Sequence, residues 1–463
     1  MRLSECLTHA DISVLQKVAD YHQLACIRHS KMSLLQELLM TLRNPQLATN
    51  QVRQWPVLRR QTMMRLSFNR KGIFAAEELE AMFQSQGGST ALTELTRQGW
   101  LYPTTRFTGR LQYCLPEELQ QQLAKSLMAE LMEHVRVRSQ APLICSDEGY
   151  AVVRDCAVLL EYVERHPVQL TVEGSIYKRN LEQLLQLLEV AEPPLEPGWR
   201  FGYGRRFHDY PDRLALIYDF AFQQKFLVEH VDGMLTVTEE VNQWRLQSES
   251  AKLKSLFGFY ISLYRRAVFR LPLILRLFTQ LPKDCWVSSL DFAAALGNLV
   301  QPYYYDTRDH VWQNRIVKML MHMGVLRTGS DEDNQIWFQI TQTGQQLLLG
   351  DTLSEEIDET AIEKRIFIVQ PNFEIVITAN NAAILSDLAL LCDLKEGGTL
   401  RVYRMTESSI QRGLAARKTA NQWIEFLNRF SQTPVPGNVE RTLREWERRG
   451  NALKESEQES LSS

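Results

Sequence analysis

Three stretches of this chain close alike, with an alternating strand that runs straight into a Pro- or Thr-started helix. They are Arg110-Leu-Gln-Tyr-Cys-Leu-Pro-Glu-Glu, Met234-Leu-Thr-Val-Thr-Glu-Glu and Ile336-Trp-Phe-Gln-Ile-Thr-Gln-Thr-Gly. Self-similarity at an irregular period points to duplicated domains rather than a tight solenoid. A length of 463 residues agrees, because one hydrophobic core does not grow that large and the length prior gives about three or four domains.

Ahead of each closing strand the same kinds of element recur. The first module has helices over Val57–Phe68, Ala75–Phe83 and Ser89–Gln98, then strands over Trp100–Thr105 and Arg110–Leu115 around Gly109. The second has a helix over Arg154–His166, a short Leu170–Val172 strand and a helix over Lys178–Val190. A long loop, a helix ending near Lys225 and a hairpin turning at Asp232-Gly233 complete it. The third has helices over Pro272–Gln280, Ser288–Leu296 and Arg308–Met323, then a Val325–Ile340 hairpin. Three helices followed by a hairpin is the winged-helix plan, a variant of helix-turn-helix. Residues 11 to 43 add a helical hairpin, with Leu34, Leu35, Leu38 and Leu42 at helical spacing and Ser30 or Ser33 as cap. Its simplest role is a packing cap on the next module.

The expected fold is therefore α+β and predominantly helical, with serial winged-helix-like modules and a C-terminal α/β domain. The expected divisions are a cap (1–50), modules at 51–140, 141–250 and 251–350, an acidic linker (351–364), a C-terminal domain (365–450) and a disordered Ser/Glu-rich tail (451–463). In the C-terminal domain an apolar strand within Arg365–Thr378 precedes helices at Ala382–Asp393, Thr406–Ala416, Thr419–Phe430 and Asn438–Arg449.

That domain carries four ordered blocks: Ile368-Val-Gln-Pro-Asn-Phe-Glu-Ile-Val-Ile, Tyr403-Arg-Met-Thr-Glu-Ser-Ser-Ile-Gln-Arg-Gly-Leu-Ala-Ala, Trp423-Ile-Glu-Phe-Leu and Thr433-Pro-Val-Pro-Gly-Asn-Val-Glu-Arg-Thr-Leu-Arg-Glu-Trp. Together they resemble the XPB-type helicase N-terminal-like domain, a helicase-associated domain. The resemblance covers about a quarter of the chain. It implies a DNA-repair or other DNA-transaction setting and names no catalytic residue. Each block also has a purely structural use as strand, helix cap or turn.

Chemistry is otherwise sparse. A motor needs a Gly-rich phosphate loop ending in Lys and Ser/Thr, and none occurs; Gly87-Gly88-Ser89-Thr90 lacks the Lys and reads as a helix-capping loop. Asp331-Glu332-Asp333-Asn334 reads as a wing tip. Seven scattered cysteines without Cys-x-x-Cys spacing read as buried thiols in a reducing compartment, and the polar N-terminus gives no secretory signal. No run is apolar enough to span a membrane; Ala267–Leu281, cut by Arg270, Pro272 and Arg276, reads as a buried helix. The expectation is a cytoplasmic, non-enzymatic protein without cofactor or metal.

A net charge of -3 rules out coating nucleic acid by bulk charge, so any contact must be a local patch. Residues 1 to 140 sum to about +5 and residues from 350 onward to about -4. The candidates are Arg59, Arg60, Arg65, Arg70 and Lys71 at the start of the first module, and Arg106 and Arg110 on its wing. Lys178 and Arg179 open a recognition-type helix, and Arg200, Arg205 and Arg206 are interleaved with aromatics in Trp199–His208. The bland alternative for the first group is a solvated helix face paired with Glu77, Glu78 and Glu80. DNA is the expected partner, with a helicase or other protein as a second. A protein-interaction scaffold and a transcriptional regulator are the competing functions.

Overall fold

A computed structural model describes the chain except for residues 70, 107–108, 193–209, 305, 351–364, 379–381, 397–400, 416–418 and 462–463. Helices dominate, with four small sheets among the described residues, in keeping with a predominantly helical α+β fold. The chain forms two discontinuous units. One comprises Met1–Cys145, Val268–Trp312 and Thr328–Ile340, and the other Ser146–Ala267, Gln313–Arg327 and Thr341–Ser463.

Each repeat adds one strand that alternation alone did not fully reveal. In the first, the order is helix Val57–Ser67, strand Ile73–Ala75, helices Ala76–Met82 and Ser89–Arg97, then strands Tyr102–Thr104 and Gln112–Cys114. The last strand is central, pairing antiparallel with both others. In the second repeat, Val168–Gln169 and Leu227–Glu229 flank Met234–Val237 in the same way. In the third, Ile336–Ile340 lies between Trp286–Ser288 and Leu326–Ser330, and Val137–Arg138 and Ile144–Ser146 extend this sheet at its two edges.

A finer signature ties the three copies together. The third helix of each ends in a residue with left-handed backbone: Gly99 (φ 86°), Lys225 (φ 60°) and Gly324 (φ 63°). The next amide reaches back five residues, from Trp100 to Leu95, Phe226 to Ala221 and Val325 to Leu320, at 2.8–3.0 Å. Gly99, Lys225 and Gly324 themselves donate three residues back, which completes a Schellman cap. A buried leucine follows each time: Leu101, Leu227 and Leu326. In the second and third copies the threonine ending the hairpin locks this cap, since Thr238 Oγ1 donates to the Lys225 carbonyl at 2.6 Å and Thr341 Oγ1 to that of Gly324 at 2.5 Å.

The N-terminal segment holds four helices rather than a hairpin alone: Leu3–His9, Ile12–Tyr21, Lys31–Leu42 and Pro45–Gln54. Ser30 caps the third by accepting from the Ser33 amide. The segment covers the Schellman cap of the first repeat. Trp100 Nε1 donates to Gln51 Oε1 at 3.0 Å, and a Cβ on Gly99 would meet Val18 and Leu42. Cys6 and Cys114 meet in the same unit, whereas Cys145 is exposed and Cys26 and Cys285 are half-buried, contrary to the expectation that the cysteines are buried.

The C-terminal region corrects the sequence expectation in two places. Residues 365 to 378 hold two strands, Phe367–Val369 and Glu374–Ile377, because Phe373 takes a left-handed conformation (φ 68°) and turns the chain. Two further strands, Asp393–Glu396 and Val402–Arg404, complete an antiparallel sheet. The last helix runs from Gly437 to Leu461, past the point where composition suggests disorder. Ile375, Leu388, Ile410, Trp423, Leu427 and Val439 give this region a core of its own. Within its unit it is tied to the second repeat by Arg165, which reaches the Cys392 carbonyl and Asp393, and by Glu189, which accepts from both Arg154 and Arg401.

The deepest polar feature is a buried ionic cluster in the same unit. Arg213 is fully buried, donating to Asp155 Oδ2 at 2.8 Å and pairing closely with Glu148. His322 bridges Glu148 at 2.8 Å and Glu192 at 3.2 Å. Lys318 holds Glu192 and Asp212, and Arg315 also pairs with Asp212. Four acids face four bases only when His322 is protonated. Burial pulls the imidazole pKa down, but the bonds to Glu148 and Glu192 outweigh it and leave it raised above 6.5. Burial likewise opposes the charged forms of Glu148 and Glu192, yet His322 and its cationic neighbours hold both below 4.5.

The signs fix a pH window. A raised histidine contributes stability that is complete below 6.5 and lost as pH rises through its folded value, while the depressed glutamates contribute stability that is complete above 4.5 and lost on acidification. Urea unfolding across pH should therefore give a midpoint that is highest between these limits. His322→Gln should lower it there and flatten its alkaline fall; an unchanged alkaline limb would show that His322 is not the group responsible.

Candidate nucleic-acid interface

The first repeat offers the outward-facing elements that a groove or backbone contact requires. Its third helix, Ser89–Arg97, starts after Gly87 (φ 94°) and Gly88 (φ 49°), so this glycine pair does cap a helix. The helix buries Ala91, Leu92 and Leu95 and turns Ser89, Thr90, Thr93 and Arg97 outward. The exposed face is hydroxyl-rich, and its arginine lies over the Tyr21 ring at 5.3 Å. The hairpin tip carries Arg106 and Arg110, both exposed, with Arg106 Nη1 2.8 Å from His9 Nε2.

The basic cluster at the start of this repeat divides into three groups. Arg59 is largely buried: its Nε donates to Gln86 Oε1 at 2.8 Å, its guanidinium meets Glu94 at 3.4 Å, and it overlies Phe83. Arg60 is paired with Glu130, which Arg53 also approaches at 4.0 Å. Their partners are thus Glu94 and Glu130, not the Glu77, Glu78 and Glu80 group, because these arginines point back into the module. Arg65 is half-buried. Lys71 is exposed, its amide held by Asn69 Oδ1 at 2.9 Å, and Arg70 lies outside the described residues.

The second and third repeats use the same plan differently. Lys178 and Arg179 are exposed at the start of helix Lys178–Leu187, but this is the second helix of its repeat, and Lys178 faces Glu182 at 3.8 Å. The positional counterpart of Ser89–Arg97 is Asp212–Gln223, nine of whose twelve residues are buried. In the third repeat the counterpart runs through helix Arg308–His310, a wide π-type turn at Val311–Val317 and helix Lys318–His322. It buries Val311, Trp312, Ile316, Met319 and Leu320. Arg200, Arg205 and Arg206 lie outside the described residues. Asp331–Asn334 forms the third hairpin's tip, as expected, with Asp331 held by Arg138 at 2.9 Å. No group of acidic, histidine and cysteine side chains suited to a metal ion occurs among the described residues. No described helix is long and apolar enough to cross a membrane.

In the C-terminal region, the quoted blocks fall on architecture. Ile368–Ile377 is the hairpin, Trp423 is fully buried, and Thr406 caps the helix Glu407–Ala415 through reciprocal bonds with Ser409. Thr419 and Gln422 form a capping box on the next helix. Residues 367–462 match the family described as the helicase conserved C-terminal domain. The segment is thus helicase-associated, and it makes up about a fifth of the chain. No curated protein matches the chain.

Taken by itself, this domain is not acidic. The acidic balance beyond 350 comes from residues 351–363 and from Glu455, Glu457 and Glu459; residues 365–450 alone carry twelve basic and nine acidic side chains. Charge therefore does not exclude the C-terminal domain from phosphate. Sequence reading also passes over Arg213 and its partners, although an Asp-Arg pair opening the apolar run Leu214–Tyr218 is a visible signal of buried ion pairing.

Because Arg60 is spent on Glu130, its loss should register in stability rather than in binding. Arg60→Gln should cost about 1–2 kcal/mol in urea unfolding, as expected for leaving a largely buried carboxylate with a poorer partner. DNA affinity at fixed salt should stay within about twofold of the parent. Normal stability with weakened binding would return Arg60 to the interface.

Proposed function

We propose that this chain is a non-catalytic, nucleic-acid-binding accessory of helicase-related systems, built from three winged-helix modules and an XPB-type helicase-associated domain. The module limits are those read from sequence, 51–140, 141–250 and 251–350, with the C-terminal domain at 365–450. The observation that carries DNA binding is the first repeat, whose third helix turns Ser89, Thr90, Thr93 and Arg97 outward and whose hairpin tip presents Arg106 and Arg110. The helicase-associated match supplies the setting, DNA repair or another DNA transaction. The lack of a phosphate-loop motif in this sequence supports a role without ATP hydrolysis. DNA is the proposed partner, with a helicase or another protein as the second and a cytoplasmic location.

A second reading, a docking scaffold, is favoured by the burial of the third helices of repeats two and three. A winged-helix module whose recognition helix is internal cannot insert it into a groove. On this division, repeat one meets nucleic acid and the rest meets protein.

Anisotropy titration of duplex, forked and single-stranded oligonucleotides across ionic strength separates the two. Nucleic-acid binding through a handful of phosphates predicts a log–log salt slope of about -3 to -6, with little dependence on sequence. Absence of binding to all three forms at low salt would leave the scaffold reading. Truncation near Gly350 is a poor substitute, since it removes Asp393 and Arg401 from Arg165 and Glu189.

A further inference from the structure

Cys6 and Cys114 are 108 residues apart in sequence and belong to one unit. Cys6 stands in helix Leu3–His9, and Cys114 ends the central strand of the first repeat's sheet, opposite Ile73 on one side and Tyr102 on the other. Their sulfurs are 3.4 Å apart, and both side chains are buried. Bonds on either side frame this contact. Just past Cys114, the Glu117 amide donates to the Met1 carbonyl at 3.0 Å, and the Glu118 carboxylate accepts from the Leu3 amide at 2.7 Å. At the far end of the same helix, His9 Nε2 meets Arg106 Nη1 of the hairpin tip at 2.8 Å.

A buried cysteine can serve as a small apolar side chain, but sulfur set against sulfur also holds two reactive groups within reach of a bond. A disulfide spans about 2.05 Å between sulfurs, a closure that small rotations of the two side chains can supply. Cysteines elsewhere have other surroundings: Cys26 accepts from Arg28 Nη1 at 2.9 Å, and Cys145 is exposed. Cys6 donates its S–H to Cys114 Sγ, and this bond outweighs burial to hold the Cys114 thiol below its usual pKa. The thiolate is the form that oxidants attack. Shielding from solvent keeps out bulky disulfides, whereas hydrogen peroxide is close to water in size.

We propose that Cys6 and Cys114 form a peroxide-sensitive dithiol site, which closes to a disulfide in the folded chain and staples helix Leu3–His9 to the wing of the first repeat. The Cys114 thiolate attacks one peroxide oxygen, the O–O bond breaks, and the departing hydroxide takes up the proton that Cys114 released, giving water and a sulfenic acid. The Cys6 sulfur then attacks the sulfenic sulfur. The S–O bond breaks as the S–S bond forms, and the second hydroxide leaves as water with the Cys6 proton. Two thiols thus give up two electrons and one peroxide accepts them. The site does not depend on the function proposed above.

The test treats the full, reduced chain with hydrogen peroxide, once in native buffer and once unfolded in urea. Remaining thiols are blocked with iodoacetamide, and tryptic peptides are read by mass spectrometry without reductant. From native buffer, the peptides spanning residues 3–17 and 111–125 should appear as one linked pair that dithiothreitol separates. The oxidised chain should also melt higher than the reduced one, because closing a long loop restricts the unfolded chain. In urea the preference for this pairing over those with the other five cysteines should vanish. Cys6→Ser and Cys114→Ser should each lose both the link and the rise in Tm. Cys6 and Cys114 still free for alkylation at a peroxide dose that oxidises exposed Cys145 would overturn the site. So would an equal yield of the same link in urea, a linked chain that melts lower than the reduced one, or a rise in Tm that survives both substitutions. The link map needs only the parent chain, so it decides the matter even where a variant fails to fold.

Discussion

The ionic cluster around Arg213 is the constraint on which the second unit depends. It draws its members from four separate stretches, Glu148 and Asp155, Glu192, Asp212 and Arg213, and Arg315 to His322. A buried charge is tolerable only where its partners are placed, so these stretches must arrive together or not at all. That requirement explains why the unit is assembled from discontinuous segments. The close approach of Gly324 to the Gly149 backbone belongs to the same requirement, since no side chain fits there. The charged cluster penalises every other register.

The three repeats share one plan and differ in how its faces are used. The Schellman cap and the following buried leucine persist in all three copies because they end a helix and start a strand, which every copy must do. The exposed face of the third helix does not persist. It is polar in Ser89–Arg97 and is consumed by core and ion-pair contacts in Asp212–Gln223 and Lys318–His322. Architecture has thus been kept while an exposed third helix is found in one of the three repeats.

Much of this order was legible in the sequence, for identifiable reasons. Hairpin positions followed from alternation and from turn residues such as Asp232-Gly233, and helix starts followed from Ser30 as a cap and from Thr341 and Thr419 as opening residues, both of which prove to be caps. The short strands Ile73–Ala75 and Asp393–Glu396 were not legible, because two to four residues carry no period of their own and form only against a partner. The turn at Phe373 was hidden because a left-handed aromatic runs against local propensity and is imposed by the sheet. At the candidate site, sequence identified the basic residues but not their fates. Arg59 and Arg60 point inward to Glu94 and Glu130, which only three-dimensional packing reveals.

On the function proposed above, nucleic acid is met by the first repeat and not by its buried counterparts. Hydrogen–deuterium exchange of the full chain with and without a duplex oligonucleotide at low salt distinguishes the two. Added protection is expected in the segments spanning residues 57–71 and 89–115, and none in 212–223 or 308–322. Protection confined to residues 401–449, with the first repeat unchanged, would contradict it and would move the interface to the helicase-associated domain.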